Sequence, residues 1–306
     1  MIVVAVMNYK GGVGKTSVTA NLAGSLAARG FKVLLIDMDP QASLTFSFIK
    51  PEEWLKSFQK KRTLKVWFDS IFEGDPIPLS SLIFTPDKCN SVVRKHADEG
   101  QVDLIASDLG LINVDLDLAT ELKGGTPAKQ RRSYLKVHRY IANALNHIDS
   151  DAYDVALIDC PPNFNIVTKN AIVASEHILI PAKPDYLSTL GIDYLKRSVQ
   201  ELIEEYNSFA DDDEGISPEI LGVVFTMIAV TAGNAISALR PYIKNTEKLG
   251  IPAFAQQLRE NKTIYADAPQ YGVPVSLLTP SSPTHRTVVQ ELDTFCNQFL
   301  ERVGIE

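Results

Sequence analysis

With 306 residues, of which 45% are hydrophobic and 22% charged, the chain can bury the core of one large α/β unit or two smaller ones. Three widely spaced cysteines, Cys89, Cys160 and Cys296, form neither a C-x-x-C pair nor an even framework, which argues against a disulfide scaffold or cysteine metal site and for a reducing, cytoplasmic setting. A formal net charge of −7 supplies no overall attraction to a polyanion, so nucleic-acid binding would need a local basic patch.

The chain opens directly on an apolar β-branched run, Ile2 to Met7, with no basic leader or cleavage site. No apolar stretch approaches the ~18 residues of a membrane helix, so the expectation is a protein neither exported nor membrane-spanning. After the first strand comes NYKGGVGKTS, Asn8 to Ser17, and then helical periodicity from Ser17 to Arg29, stopped by Gly30. Further buried strands are expected at Lys32 to Ile36, Val102 to Ala106, Val155 to Ile158, Ile178 to Ile180, Leu221 to Thr226 and Val275 to Leu278, with Ile251 to Phe254 as an edge strand. Helices are expected at Arg132 to Ile148, Thr189 to Tyr206, Ala235 to Leu249 and Thr287 to Val303. This alternation predicts a doubly wound, mostly parallel sheet with helices on both faces, an α/β fold. The stretch from about 47 to 100 fits least well, with Trp54, Trp67, several prolines and a basic run; it is expected to be a helical insertion on top of the sheet, within one domain spanning 1–306. Asp211 to Gly215 is expected to be an acidic surface turn.

The glycine stretch sits between a strand and a helix, the context in which G-K-T signals a phosphate loop. Backbone N–H groups from Gly12 to Thr16 would form an anion nest at a helix N-terminus, with Lys15 on the β- and γ-phosphates and the Thr16 hydroxyl on Mg²⁺. Asp37 and Asp39 end an apolar strand at alternate positions, which brings both carboxylates to one side of the C-terminal sheet edge. Asp159 ends another. Each alone reads as a cap or turn residue; three at strand ends beside a phosphate loop do not.

KGGVGKTS, VLLIDMDPQ at 33–41, DVALIDCPP at 154–162, IPAKPDYLSTLGI at 180–192 and DAPQYGVPV at 267–275 occur in an order that resembles the ParA branch of the ParA/MinD superfamily of deviant Walker ATPases. That resemblance covers nearly the whole chain and is weakest in the insertion. It implies an ATP- and Mg²⁺-dependent ATPase, with Asp159 as the Walker B aspartate, Asp37 supporting the metal's water shell and Asp39 orienting the attacking water. Metal contacts are thus expected from Thr16, Asp37 and Asp159, and nucleotide contacts from Lys10, Gly11, Gly12, Val13, Gly14, Lys15, Thr16 and Ser17. The base is expected near the end of the strand finishing at Thr226-Met227 and the loops at 256–259 and 267–274, with Thr226, Asp267 and Pro274 as contacts. No metal beyond Mg²⁺ is expected, because the five histidines are scattered.

Lys10 stands where the ordinary loop needs no second cation. In cis it would crowd Lys15. The resemblance implies that it reaches across a face-to-face homodimer to the partner's nucleotide, making dimerisation depend on ATP.

Three outputs follow from the same scaffold. A partition ATPase would bind DNA non-specifically as the ATP dimer, associate with the nucleoid, and be reset by a ParB-like or other cargo adaptor. Its candidate DNA contacts are Arg240, Lys244, Arg259 and Lys262, within a 227–262 segment carrying five cations against two acids; a second cluster, 123–139, carries six cations and no acid. A MinD-like membrane regulator would need a basic amphipathic C-terminal helix, but the last helix ends acidic. A metabolic ligase on this scaffold would not need Lys10, and a nitrogenase-reductase-like electron donor would need a second well-placed cysteine.

Overall fold

The computed structural model describes residues 1–211, 213–231, 234–235 and 240–305. Its centre is a six-stranded, all-parallel sheet of β1 (Ile2–Val6), β2 (Lys32–Asp37), β3 (Gln101–Ile105), β4 (Val155–Asp159), β5 (His177–Ala182) and β6 (Glu219–Phe225), in the order β3-β2-β4-β1-β5-β6. The expected α/β architecture is therefore present. Both faces of the sheet are covered, which is why these strands read as continuous apolar runs. The two-residue side-chain period splits each run between two cores. Val3 and Ala5, Leu34 and Ile36, and Ala156 and Ile158 enter one core, while Val4 and Val6, Val33 and Leu35, and Val155 and Leu157 enter the other.

Helices α1 (Lys15–Ala27) and α13 (Pro283–Val303) cover the second face. The first face receives α6 (Leu111–Glu121), α7 (Pro127–His138), α8 (Tyr140–Leu145), α9 (Ile166–Val173) and α10 (Tyr186–Phe209). The single helix expected over 132–148 is broken at Arg139, and a tertiary contact supplies the reason. The Asn170 side chain donates from Nδ2 to the Val137 carbonyl at 2.8 Å and accepts from the Ile141 N–H at 3.4 Å. An uninterrupted helix would have paired those two backbone groups with each other.

The insertion forms α2 (Ser43–Phe46), α3 (Pro51–Ser57), α4 (Leu64–Phe72), a 3₁₀ turn at Leu79–Leu82 and α5 (Asp87–Val93). It does not lie on top of the sheet. It straddles the edge strand β3, with Leu64, Trp67 and Phe68 in one core and Phe48, Trp54, Phe58 and Val93 in the other. Phe84 exchanges two backbone hydrogen bonds with Leu104 of β3, at 2.8 and 3.0 Å. At the opposite edge, the segment expected as a strand at 251–254 runs beside β6, where Val223 N–H donates to Pro252 and Phe254 N–H donates to Val223.

The stretch expected as a strand at 275–278 is instead a 3₁₀ turn, Val275–Leu277. Asn21 of α1 takes its backbone out of competition for the sheet: Asn21 Oδ1 accepts from Ser276 N–H and the Asn21 carbonyl accepts from the Ser276 hydroxyl, both at 2.9 Å. Gly24 allows that approach, since a Cβ there would lie 2.6 Å from Ser276 Oγ. The last part of the chain contains α11 (Arg240–Lys248) and α12 (Lys262–Tyr271), after a two-stranded ribbon of Val230–Thr231 and Asn234–Ala235. Of the expected helix at 235–249, positions 236–239 lie outside the described residues, as does Asp212 of the acidic turn.

Candidate phosphate and metal site

Between β1 and α1 the chain turns through Gly12 at φ +68° and Gly14 at φ +85°, a left-handed backbone that only glycine enters without cost. Val13 is fully buried, and its carbonyl accepts the Thr226 hydroxyl at 2.7 Å, which ties the loop to the end of β6. Because the turn ends on the N-terminus of α1, unpaired backbone N–H groups and the positive end of the helix dipole face the same space. Such a mouth suits phosphate.

Register then delivers the carboxylates. Asp159 lies opposite Val6 on β1 and opposite Asp37 on β2, so the loop-bearing strand and both acids end at one level. Asp37 and Asp159 share strand parity with residues of the α1-facing core, which aims them toward Thr16 rather than toward α9. Thr16 Oγ1 donates to Asp159 Oδ2 at 2.7 Å. One Asp37 oxygen accepts from both the N–H and the hydroxyl of Thr45, each at 2.7 Å, and the other accepts from Asp39 N–H at 3.2 Å. Asp39 in turn accepts from Gln41 N–H at 2.9 Å, and its carbonyl accepts from Ser107 Oγ at 2.6 Å.

These groups are expensive to bury. Burial raises the Asp159 carboxyl to about 7, against the stabilising Thr16 hydrogen bond and the charge of Lys15, with Asp39 adding repulsion. Burial also pushes Asp37 well up, assisted by the negative charge of Asp159 and opposed by Thr45. Lys15, only 7% exposed, is lowered by the same loss of water, although Asp159 and Asp39 draw it back. Asp159 Oδ1 has no hydrogen-bond partner among the described residues. A buried carboxylate oxygen left open, next to a hydroxyl and a second carboxylate, needs either a proton or a hard cation. Mg²⁺ with oxygen ligands fits that donor set.

Beside the loop lies a cavity of about 360 Å³ whose lining includes Gly14, Val18, Thr226, Met227, Arg259 and Tyr265. It is within the range of small-molecule sites. Met227 has a left-handed backbone at φ +54°, an uncommon conformation that marks a place where tertiary structure overrides local preference. The Tyr265 hydroxyl is buried without a hydrogen-bond partner among the described residues.

The structure thus brings Lys15, Thr16, Asp37, Asp39 and Asp159 together and puts Thr226 against the loop. Of the other residues expected near the base, Asp267 is exposed on α12, and Pro274 lines an adjoining cleft of about 40 Å³ that shares Ser17 and Tyr265 with the cavity. Met227 and Arg259 fall in the regions expected, whereas Tyr265 was not foreseen, because a mid-helix tyrosine carries no local signature. Lys10 is also placed differently from a free ammonium at the loop mouth; its Nζ lies 2.7 Å from Asp185, the residue that caps α10.

Among the expected DNA contacts, Arg259 is turned inward, with its Nε donating to Glu291 at 2.7 Å and a side chain only 19% exposed. Arg240 and Lys244 are exposed on α11 with Lys248, at successive four-residue steps that align them on one face. Lys262 is exposed, with Glu260 3.8 Å away. In the other basic cluster, Arg131 and Arg139 are matched by Asp211 and Glu214 from a distant part of the chain, and Lys136 by Glu121 just outside the cluster. Its local sequence excess overstates its surface charge.

With this geometry in hand, comparisons with known proteins are informative. The family model for an AAA domain matches residues 1–211. The chromosome partitioning protein ParA of Caulobacter vibrioides is 30% identical over 226 residues, covering 74% of this chain and 69% of its own. The cell division protein PomZ of Myxococcus xanthus is 27% identical over 299 residues, 98% of this chain and 79% of its own. In structure, an ATP complex of McdA from Cyanothece superposes with a TM-score of 0.71 at 19% identity, covering 100% of this chain and 97% of the other.

Proposed function

Since the chain belongs to the ParA-type ATPases of the ParA/MinD superfamily, we propose that it is a positioning ATPase that dimerises face to face on binding ATP and Mg²⁺, binds DNA non-specifically as the dimer, and is reset when a cargo adaptor stimulates hydrolysis. The observation that carries this reading is the convergence of a buried lysine, a hydroxyl and three carboxylates at the mouth of a glycine turn, beside a cavity large enough for a nucleoside.

Within this reading, Gly11 to Ser17 supply the phosphate cradle, with backbone donors from Gly12 to Thr16 and the ammonium of Lys15 neutralising the β- and γ-phosphates. Thr16, Asp159 and Asp37 would hold Mg²⁺, which would supply charge neutralisation at the transferring phosphoryl group. Asp39, at the open end of the carboxylate group, orients the attacking water. Thr226, Met227 and Tyr265 surround the base. Lys10 serves the partner's nucleotide, so the assembled state requires a triphosphate and hydrolysis ends it. We assign residues 1–306 to one ATPase domain, with 47–100 as an elaboration of it.

The DNA surface is the α11 face of Arg240, Lys244 and Lys248 with Lys262, doubled in the dimer. Membrane docking is disfavoured by α13, whose apolar side, including Val288, Leu292, Phe295 and Phe299, is buried in the sheet's second core. Among the described residues no helix is long and apolar enough to cross a membrane. The deciding measurement is DNA retention of the purified protein with ATP, ADP or no nucleotide over a salt series. Retention with ATP alone is expected, with log affinity falling against log salt at a slope near −7 for about eight phosphate contacts. Retention independent of nucleotide, or none at low salt, refutes the DNA-bound dimer.

A further inference from the structure

Lys10 is engaged within its own subunit. Its Nζ lies 3.0 and 2.7 Å from the two carboxylate oxygens of Asp185 and 3.4 Å from Ser188 Oγ. Asp185 is at the same time the N-cap of α10, accepting from Ser188 N–H at 2.8 Å. One carboxylate therefore starts a 24-residue helix and holds the ammonium. The residues before Lys10 are fastened to the same region. Asn8 Nδ2 donates to the Pro181 carbonyl at 2.8 Å, and the Tyr9 ring lies 5.0 Å from that of Tyr194 on α10, centroid to centroid. Around this contact the outer side of α10 leaves Tyr186, Leu187, Leu190 and Tyr194 between 51% and 65% exposed.

An ammonium held by both oxygens of its own Asp185 cannot also lie on a second copy's phosphates. We propose that Asp185 is an internal competitor for Lys10, a latch that keeps the ATP-free subunit in a resting state until a partner's triphosphate, with several negative charges against one, draws the lysine away. This rests on the reading of Lys10 as a trans-acting residue. The pair is 32% and 41% exposed, so its strength is that of a surface ion pair, about 1.4- to 5-fold in an equilibrium constant. Two latches open per dimer, which multiplies to about 2- to 30-fold.

Asp185→Asn tests this, because asparagine caps a helix as well as aspartate but carries no charge. Asp185→Ser, another good cap, serves if the first variant melts below wild type. Two readouts on the full chain separate the latch from the dimer. In nucleotide-free protein, pulse acylation with acetic anhydride read by mass spectrometry should label Lys10 severalfold faster in the variant, with exposed Lys248 unchanged as the internal reference. In sedimentation over an ATP–Mg²⁺ titration, the dimerisation constant of the variant should rise by the 2- to 30-fold above, which lowers its ATP midpoint about 1.4- to 5-fold because two ATP enter each dimer. The same substitution in a Lys10→Ala background should have no effect on assembly.

Equal Lys10 labelling in wild type and variant overturns the latch. Faster labelling with an unchanged or higher ATP midpoint overturns its role as competitor. Wild-type protein that stays monomeric at saturating ATP–Mg²⁺, with the labelling difference intact, overturns the dimer reading and the competitor role that depends on it.

Discussion

The open oxygen of Asp159 has a measurable consequence in proton exchange. With its carboxyl raised to about 7, the nucleotide-free protein holds that proton below neutrality and gives it up as pH rises through 7, whereas a metal-bound state requires the carboxylate. At pH 6 about one carboxyl in ten is ionised and at pH 8 about nine in ten, so Mg²⁺–nucleotide affinity should rise about tenfold across that interval, with close to one proton released per site at pH 6. The sign for folding is opposite. A carboxyl whose folded value lies above its unfolded value near 4 stabilises the fold fully below that unfolded value, and this contribution is lost as pH rises through about 7. Titration calorimetry at pH 6, 7 and 8, in buffers of different ionisation enthalpy, counts the protons. The control is Asp159→Asn, which keeps shape but cannot titrate; protons from the nucleotide's own phosphate remain in both proteins and cancel. Because Asp37 and Asp159 interact, the measured value belongs to the pair. Equal proton release in wild type and Asp159→Asn would refute the placement of a titrating carboxyl at the metal site.

Lys15→Ala and Thr16→Ala should each weaken ATP–Mg²⁺ binding by about 10- to 100-fold, the scale of a lost charged hydrogen bond, in a fluorescent-nucleotide assay; wild-type affinity in either removes the site assignment. Asp39→Ala should leave ATP affinity nearly unaltered while slowing turnover by about 10²-fold or more, so that sedimentation shows an accumulated ATP dimer; hydrolysis at the normal rate contradicts its water-orienting role. Phe68→Ala, at a fully buried position in the insertion, should cost about 3–5 kcal/mol in urea unfolding, and a loss under about 1 kcal/mol would mean that the insertion is not part of the main core.

The strands were legible in the sequence because each is an apolar run bounded by charge or glycine, and the acids at their ends followed at once: Asp37 and Asp159 terminate β2 and β4 where the loop after β1 also opens. Failures came where a side chain from far along the chain claimed a backbone group. Asn170 interrupts what the periodicity presents as one helix, and Asn21 turns an apolar strand-like run at 275–277 into a 3₁₀ turn. Neither asparagine carries a local sign of that job. The partner of Lys10 was hidden similarly, 175 residues away, although the D-x-x-S spacing of Asp185 and Ser188 marks a helix start. The basic segment at 123–139 misled for the reverse reason, since its counter-charges come from other elements.

The backbone pairing at the two margins of the sheet bears on how such a molecule can associate at all. On β3, Phe84 pairs with Leu104 and the Asn90 side chain takes both backbone groups of Val102, and on β6 the 252–254 segment pairs with Val223, so neither outermost strand presents a row of open amides to another chain. At high local concentration, open sheet margins invite irreversible strand-to-strand fusion. Here direct strand-to-strand pairing is blocked by the chain's own loops, which leaves side-chain surfaces as the means of contact between copies.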